Sequence, residues 1–249
     1  MGKKYLNSPI VEAVCEFRFA PETPWDLTIP GLLYKHIKTS FPLKEERILQ
    51  QLRVNQTKNG EINQETTLNK VQAFLRRDRQ CFMNIGDRLI SIHTVKPYLT
   101  WTKFRPIISK IYNALIKELE TPTIERIGLR YINRIEIPQD HPLLEDYFDY
   151  GLRLKDNFHA VEVSEFFIGS VFPYADKRDA CRVQLVSALP ENPQTSALIL
   201  DLDYFLQTPK SIPADQAIDW VEAAHTTAEA LFEDCITDRL REIFREINE

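Results

Sequence analysis

Glycine is scarce in this sequence, with seven residues in 249, and none falls in a G-x-x-x-x-G-K-[ST] or G-x-G-x-x-G pattern. A loop that cradles phosphate in the manner of nucleotide hydrolases or dinucleotide-binding proteins is therefore not expected. The chain also lacks low-complexity tracts and flexible linkers. Cysteine is limited to Cys15, Cys81, Cys181 and Cys235, far apart and without a C-x-x-C pair. A zinc site needs clustered Cys and His spacing, which is absent. Three of the four lie in apolar strand-like runs, where a reduced cysteine acts as a small buried hydrophobe.

Histidine is equally sparse. His36, His93, His141, His159 and His225 share no metal-ligand spacing, and none accompanies a serine or cysteine motif. His36 and His225 fall near apolar stripes on predicted helices and read as core histidines. A cysteine nucleophile paired with one of these histidines is the formal alternative. No apolar run approaches the ~20 residues that span a bilayer. The opening Met-Gly-Lys-Lys-Tyr-Leu-Asn has no apolar segment, so no signal peptide is expected. Leu6 stands where a myristoylation signal needs Ser or Thr. The expectation is a cytoplasmic protein without membrane attachment. A net charge of −5 argues against a surface built wholly for nucleic acid, while leaving room for a local basic stripe.

What is present is ordinary for a globular chain: 43% hydrophobic and 27% charged residues. The length suits one large domain or two small ones, with a core that needs no disulfide or metal. Residues 10–19 alternate, with Val11, Ala13, Cys15, Phe17 and Phe19 on one face and Ile10, Glu12, Val14, Glu16 and Arg18 on the other. A helix is predicted over 27–41, with Pro30 in its first turn. Strands follow at 48–54, 71–76, 80–85 and 88–95, with a polar loop at Asn59-Gly60 and a hairpin turn at Gly86-Asp87. A helix over 101–119 has Thr100 as its predicted N-cap and Pro106 as an awkward early residue.

The strongest strand covers 124–137, with Ile127, Leu129, Tyr131, Ile135 and Ile137 on one face and Arg126, Gly128, Arg130, Ile132, Arg134 and Glu136 on the other. A short helix is predicted over 141–150, then strands at 166–172, 182–188 and 197–206 joined by turn-forming residues at 175–179 and 190–193. One long helix is predicted over 214–247. Its apolar stripe runs through Ala217, Val221, Ala224, Ala228, Leu231 and Cys235. It then shifts by one residue to Ile236, Leu240, Ile243 and Ile247, where a bend or change of partner is expected. The fold class expected is α+β, a mostly antiparallel sheet flanked by helices. An offset of 112 residues superposes Arg18-Phe19 on Arg130-Tyr131, preserving strand parity. It suggests two similar β-α-β-β-β-α halves, 1–121 and 122–249, able to pack as one domain.

The segment Leu6-Asn-Ser-Pro-Ile-Val-Glu-Ala-Val-Cys-Glu-Phe-Arg-Phe19 resembles the N-terminal signature of a sporadically distributed bacterial family of uncharacterised proteins. Arg126-Ile-Gly-Leu-Arg-Tyr-Ile-Asn-Arg-Ile135 resembles that family's central motif, and Leu200-Asp-Leu-Asp-Tyr204 is a less specific third match. The three matches run through the chain in order. The family's patchy distribution implies a component of a multi-protein bacterial system, in mobile or defence-related gene neighbourhoods. The resemblance implies no particular reaction.

Three features carry functional candidates. Glu12, Glu16 and Arg18 share one strand face, and Arg126, Arg130, Arg134 and Glu136 share another. If the two strands are neighbours, these charges either pair across the ladder or line a groove for phosphate or carboxylate, which guanidinium binds through paired N–H groups. A nucleotide, a nucleic-acid strand or an acidic peptide would each suit such a groove. Asp201 and Asp203 project from one face and would hold a divalent metal with Glu12 or Glu16 nearby. Finally, 214–249 carries ten acidic residues against three arginines, net −7, which leaves +2 on the rest of the chain. A helix of that length would reach about 50 Å, and its surplus beyond Leu240 is the expected place for a protein partner or a second copy. The preferred expectation is a non-enzymatic binding or assembly module using Arg126, Arg130 and Arg134 with Arg18, Glu12 and Glu16, and requiring no cofactor. The alternative is a metal-dependent phosphodiesterase or nuclease built on Asp201 and Asp203.

Overall fold

The computed structural model describes residues 3–56, 62–151 and 165–247. It is an α+β fold dominated by one antiparallel sheet. In chain order the elements are β1 (Lys4–Tyr5), β2 (Ile10–Phe19), α1 (Ile29–Ile37), β3 (Leu43–Gln56), β4 (Ile62–Leu75), β5 (Cys81–Gly86), β6 (Leu89–Val95) and α2 (Trp101–Ile116). Then come β7 (Ile124–Ile137), β8 (Phe167–Tyr174), β9 (Asp179–Ala188), β10 (Ser196–Leu206), α3 (Ala217–Cys235), α4 (Asp238–Phe244) and β11 (Glu246–Ile247). Nine strands run in the order β3-β4-β5-β6-β2-β7-β10-β9-β8, and β1 pairs separately with β11.

The two signature strands are neighbours at the middle of the sheet. β2 and β7 run antiparallel with Cys15 opposite Leu129, Glu16 opposite Gly128 and Arg18 opposite Arg126. Reading outward from β2 gives β6, β5 and β4; reading outward from β7 gives β10, β9 and β8. The first half contributes five strands, with β3 at its edge, and the second contributes four, and they join into one continuous sheet. The 112-residue offset carries Glu16 onto Gly128, and those two residues are register partners, so a two-fold relating the halves would pass between them.

Alternation decides which face is closed. Ala13, Cys15, Phe17, Ile127 and Leu129 are wholly buried, together with Ile90, Ile92, Leu200 and Leu202. They form one core with Leu33 and Ile37 of α1, Phe104, Ile108 and Ile111 of α2 and Val221 and Ala224 of α3. Phe17 meets Tyr112 at 4.5 Å between ring centres, an aromatic pair joining the central strand to α2. Burying a side chain of that size contributes about 1.5–3 kcal/mol.

Three expectations change. The predicted helix over 27–41 is confined to Ile29–Ile37, because Asp26 Oδ1 accepts from the Thr28 amide and hydroxyl and holds the chain in a turn before it. The predicted helix over 141–150 is reduced to one 3-10 turn, Leu144–Asp146. The helix predicted over 214–247 is broken at Ile236, whose backbone is extended. These last two changes share a cause. The chain at 147–149 docks across the break: the Asp149 amide donates to the Cys235 carbonyl at 3.0 Å, and the Thr237 amide to the Tyr147 carbonyl at 3.1 Å. Ile236 and Thr237 are both β-branched and accept extended geometry readily. The stripe shift therefore marks a new helix, α4, which ends at Arg245 in left-handed conformation and turns into β11. The stretch beyond Leu240 meets this chain's own N-terminus, with Lys4 opposite Ile247 and Tyr5 opposite Glu246.

The predicted strand at 48–54 lies within the longer β3, and that at 71–76 overlaps the end of β4. The Asn59-Gly60 loop lies outside the described residues, as does His159. Thr100 does stand at the N-cap of α2 in non-helical geometry, but its hydroxyl meets Thr102 instead of a helix amide. The helix continues through Pro106 to Ile116. No helix of the described residues is long and apolar enough to cross a membrane.

Candidate functional site

The candidate site is the sheet face opposite the helices. Alternation puts Glu12, Val14, Glu16 and Arg18 of β2 there, beside Arg126, Gly128, Arg130, Ile132, Arg134 and Glu136 of β7. The antiparallel register adds Asp201, Asp203 and Phe205 of β10, with Asp203 opposite Arg130 and Phe205 opposite Gly128. It also adds Arg182 of β9, opposite Asp203. Every strand residue singled out from the sequence thus lies on one face.

The arginines are supported from beneath by carboxylates. Arg130 donates from Nε to Asp201 Oδ1 at 2.8 Å, and its Nη2 also bonds Asp201. Arg126 donates from Nη1 to Glu16 Oε1 at 2.9 Å and from Nη2 to Asp203 Oδ2 at 3.1 Å. Glu16 also accepts from Arg18 Nε at 2.7 Å, so one carboxylate bridges two arginines that face each other across the ladder. Arg182 lies 3.9 Å from Asp203. Arg134 stands apart: it bonds Glu136 at 2.5 Å and the Leu189 carbonyl at 2.7 Å, and joins neither aspartate.

Gly128 makes the arrangement at Arg126 possible. A β-carbon there would come within 2.5 Å of Arg126 Nη1. Its absence lets the guanidinium lie across the strand, 5.1 Å from the centre of the Phe205 ring. Arg182, on β9 at the other flank of β10, lies 5.7 Å from the centre of the same ring. Cations over an aromatic face are held by its quadrupole as well as by their ion pairs.

Across β2, β7, β10 and β9, Arg18, Arg126, Arg130, Arg134 and Arg182 are matched by Glu12, Glu16, Glu136, Asp201 and Asp203, so the array is close to neutral. Its charge is nonetheless layered. The Arg130 side chain is 46% exposed above an Asp201 that is 10% exposed, and Arg182 is 48% exposed above an Asp203 that is 15% exposed. Burial pushes the Asp203 carboxyl up from the usual range, against the pull of Arg126, Arg130 and Arg182. The hydrogen bond that Arg130 donates to Asp201 raises Arg130 further, so its cation persists.

As a metal site the aspartates are poorly placed. Asp201 is held by Arg130 and Asp203 by Arg126, and among the described residues no group of three or more His, Cys, Asp or Glu could hold a metal ion. The cysteine alternative fares no better. All four thiols are buried, and burial pushes Cys81, Cys181 and Cys235 up to about 12 and Cys15 well above its ordinary value. Such thiols resist becoming nucleophilic thiolates.

Two groups escaped the sequence analysis. Arg182 sits in the alternation Arg182, Gln184, Val186, which carries its signal, but its closeness to Asp203 depends on strand order. The second group belongs to no serine or cysteine motif of the sequence. His93 Nε2 lies 2.7 Å from Ser91 Oγ, and His93 Nδ1 lies 2.8 Å from Glu12 Oε1. Asn84 Nδ2 is 3.2 Å from His93 Nε2. The spacing of Ser91 and His93 by two on one strand was legible, but Glu12 joins them only through the pairing of β6 with β2. Among known proteins, no family model matches this chain and no curated relative is found.

Proposed function

We propose that this chain is a binding or assembly module whose open sheet face takes an anionic group of a partner, through Arg130, Arg126 and Arg182. The layering of charge carries the reading. Buried or half-buried carboxylates hold the Arg130 and Arg126 guanidinium groups in place, with Arg182 beside them, so a phosphate or carboxylate can be received with little reorganisation of the site. In Arg130, Nε and Nη2 are engaged by Asp201, and Nη1 is not. Among the described residues the Arg182 guanidinium makes the long contact to Asp203 and the approach to Phe205, and most of its N–H donors are left for a ligand. The resemblance to a patchily distributed bacterial family supports a place in a multi-component, defence-related system.

The test is retention on immobilised heparin, used as a polyanion probe, over a salt gradient. An Arg130→Gln/Arg182→Gln double variant with unchanged melting temperature should elute at clearly lower salt. Equal elution of the variant and the parent protein would reject the reading. Unfolding of the variant would make the array a structural ladder and reject it as well.

A further inference from the structure

A second site lies on the same face, around Ser91 on β6. Ser91 and His93 project together because they are two residues apart on one strand. Glu12 reaches the ring diagonally from β2, where Val14 is the residue opposite His93. A carboxylate bound at Nδ1 holds the proton on that nitrogen, which leaves the Nε2 lone pair toward the Ser91 hydroxyl at 2.7 Å. Phe82 fixes the ring plane, stacking on His93 with 4.5 Å between centres and 7° between planes. Nucleophile, base and orienting carboxylate are thus within hydrogen-bond reach in the order that activates a serine.

An independent observation points to a ligand here. Asn84 is 3% exposed, and its buried Oδ1 has no hydrogen-bond partner among the described residues. A buried amide oxygen left unpaired carries a desolvation cost that an arriving donor would remove. The other end of the same amide, Nδ2, lies 3.2 Å from His93 Nε2 and 3.4 Å from Ser91 Oγ, beside the place where the carbonyl oxygen of a group attacked by Oγ would gain negative charge.

We propose that Ser91 is a nucleophile for acyl transfer, with His93 as its base, Glu12 as a positioning residue and Asn84 Nδ2 as the oxyanion donor. Ser91 Oγ bonds to the acyl carbon of an ester as its proton passes to His93 Nε2. The ester C–O bond then breaks, and the alcohol leaves with that proton. Water attacks the acyl-serine, gives a proton to His93 and releases the acid, and the proton returns to Ser91. Ser91 is 4% exposed and sits low between Glu16 and Asn84, its partners on the adjacent strands. The substrates are therefore small acyl esters, favoured when they carry an N–H or O–H that Asn84 Oδ1 can accept. This site goes beyond the anion-binding reading and does not rest on it.

A fluorophosphonate probe applied to the full chain tests the assignment, with the adduct mapped by mass spectrometry. The expected adduct is on Ser91, absent in Ser91→Ala. His93→Gln should slow labelling about 10²–10⁴-fold, the range for losing a general base. Glu12→Gln should slow it at unchanged melting temperature, an effect that a purely structural Glu12 would not produce. If His93→Gln does not fold, Glu12→Gln and Asn84→Ala decide the matter. A folded parent protein that stays unlabelled, an adduct elsewhere, or variants that label at the parent rate would each overturn the proposal. Loss of heparin retention alone would leave this site standing, so the two readings fail separately.

Discussion

The two faces of β2 and β7 are built from alternate residues of the same strands, yet different forces hold them. On the helix-covered face, Cys15, Phe17, Ile127 and Leu129 have no exposure, and their stability comes from leaving water. On the open face, Glu16, Arg18, Arg126 and Arg130 stay partly wet and are organised by charge and hydrogen bonds. Ion pairs at such exposure contribute ~0–1 kcal/mol each, so the open face holds little of the fold's stability. A chain can vary such a face at low cost to folding, which suits it to carry a function.

The sharpest way to break the comparison is to cut into the covered face. Phe17→Ala should remove about 3–5 kcal/mol, measured as the shift in urea midpoint, because Tyr112 and the α2 face cannot close the cavity. A loss similar to that of an open-face substitution would mean that the two faces are not energetically distinct.

A smaller effect is expected from the titratable group on the covered side. His225 stacks on Trp101 at 4.0 Å and meets the Tyr131 hydroxyl at 2.9 Å. Burial lowers it from 6.5 to about 4. The unfolded chain therefore binds a proton that the folded one refuses, and stability falls as pH drops from 6.5 toward 4, by on the order of 2 kcal/mol. His225→Gln should flatten that part of the stability curve in urea titrations at successive pH values. An unchanged slope in the variant would assign the acid sensitivity to other groups.

The smallest change in stability should come from the open face itself. In Gly128→Ala the new methyl displaces the Arg126 guanidinium from Glu16 and Asp203. A gain of about 0.5–1 kcal/mol from removing a strand glycine offsets the lost ion pairs, so the midpoint should move by less than about 1 kcal/mol. Heparin retention should nonetheless fall, since Arg126 leaves its position. A large destabilisation without change in retention would reverse the roles assigned to the two faces.

Much of this arrangement was readable residue by residue. Alternation in 10–19 and 124–137 separated the apolar side from the charged one, and the strand bounds were recovered in full because proline ends both runs. The helix break at Ile236 left a trace in the shifted stripe, but the docking of 147–149 that imposes the break did not. Arg182 and Ser91 were passed over because each becomes notable only beside a residue more than twenty positions away.

Local pattern alone determined the two-sided character of the central strands and the alternation that turns the arginines and aspartates to a shared side, because side-chain direction in a strand repeats every two residues. Strand order was decided by tertiary pairing, since the backbone ladder fits any neighbour and only packing against α1, α2 and α3 selects one. That pairing placed Asp201 beneath Arg130 and Glu12 against His93, converting scattered charges into sites.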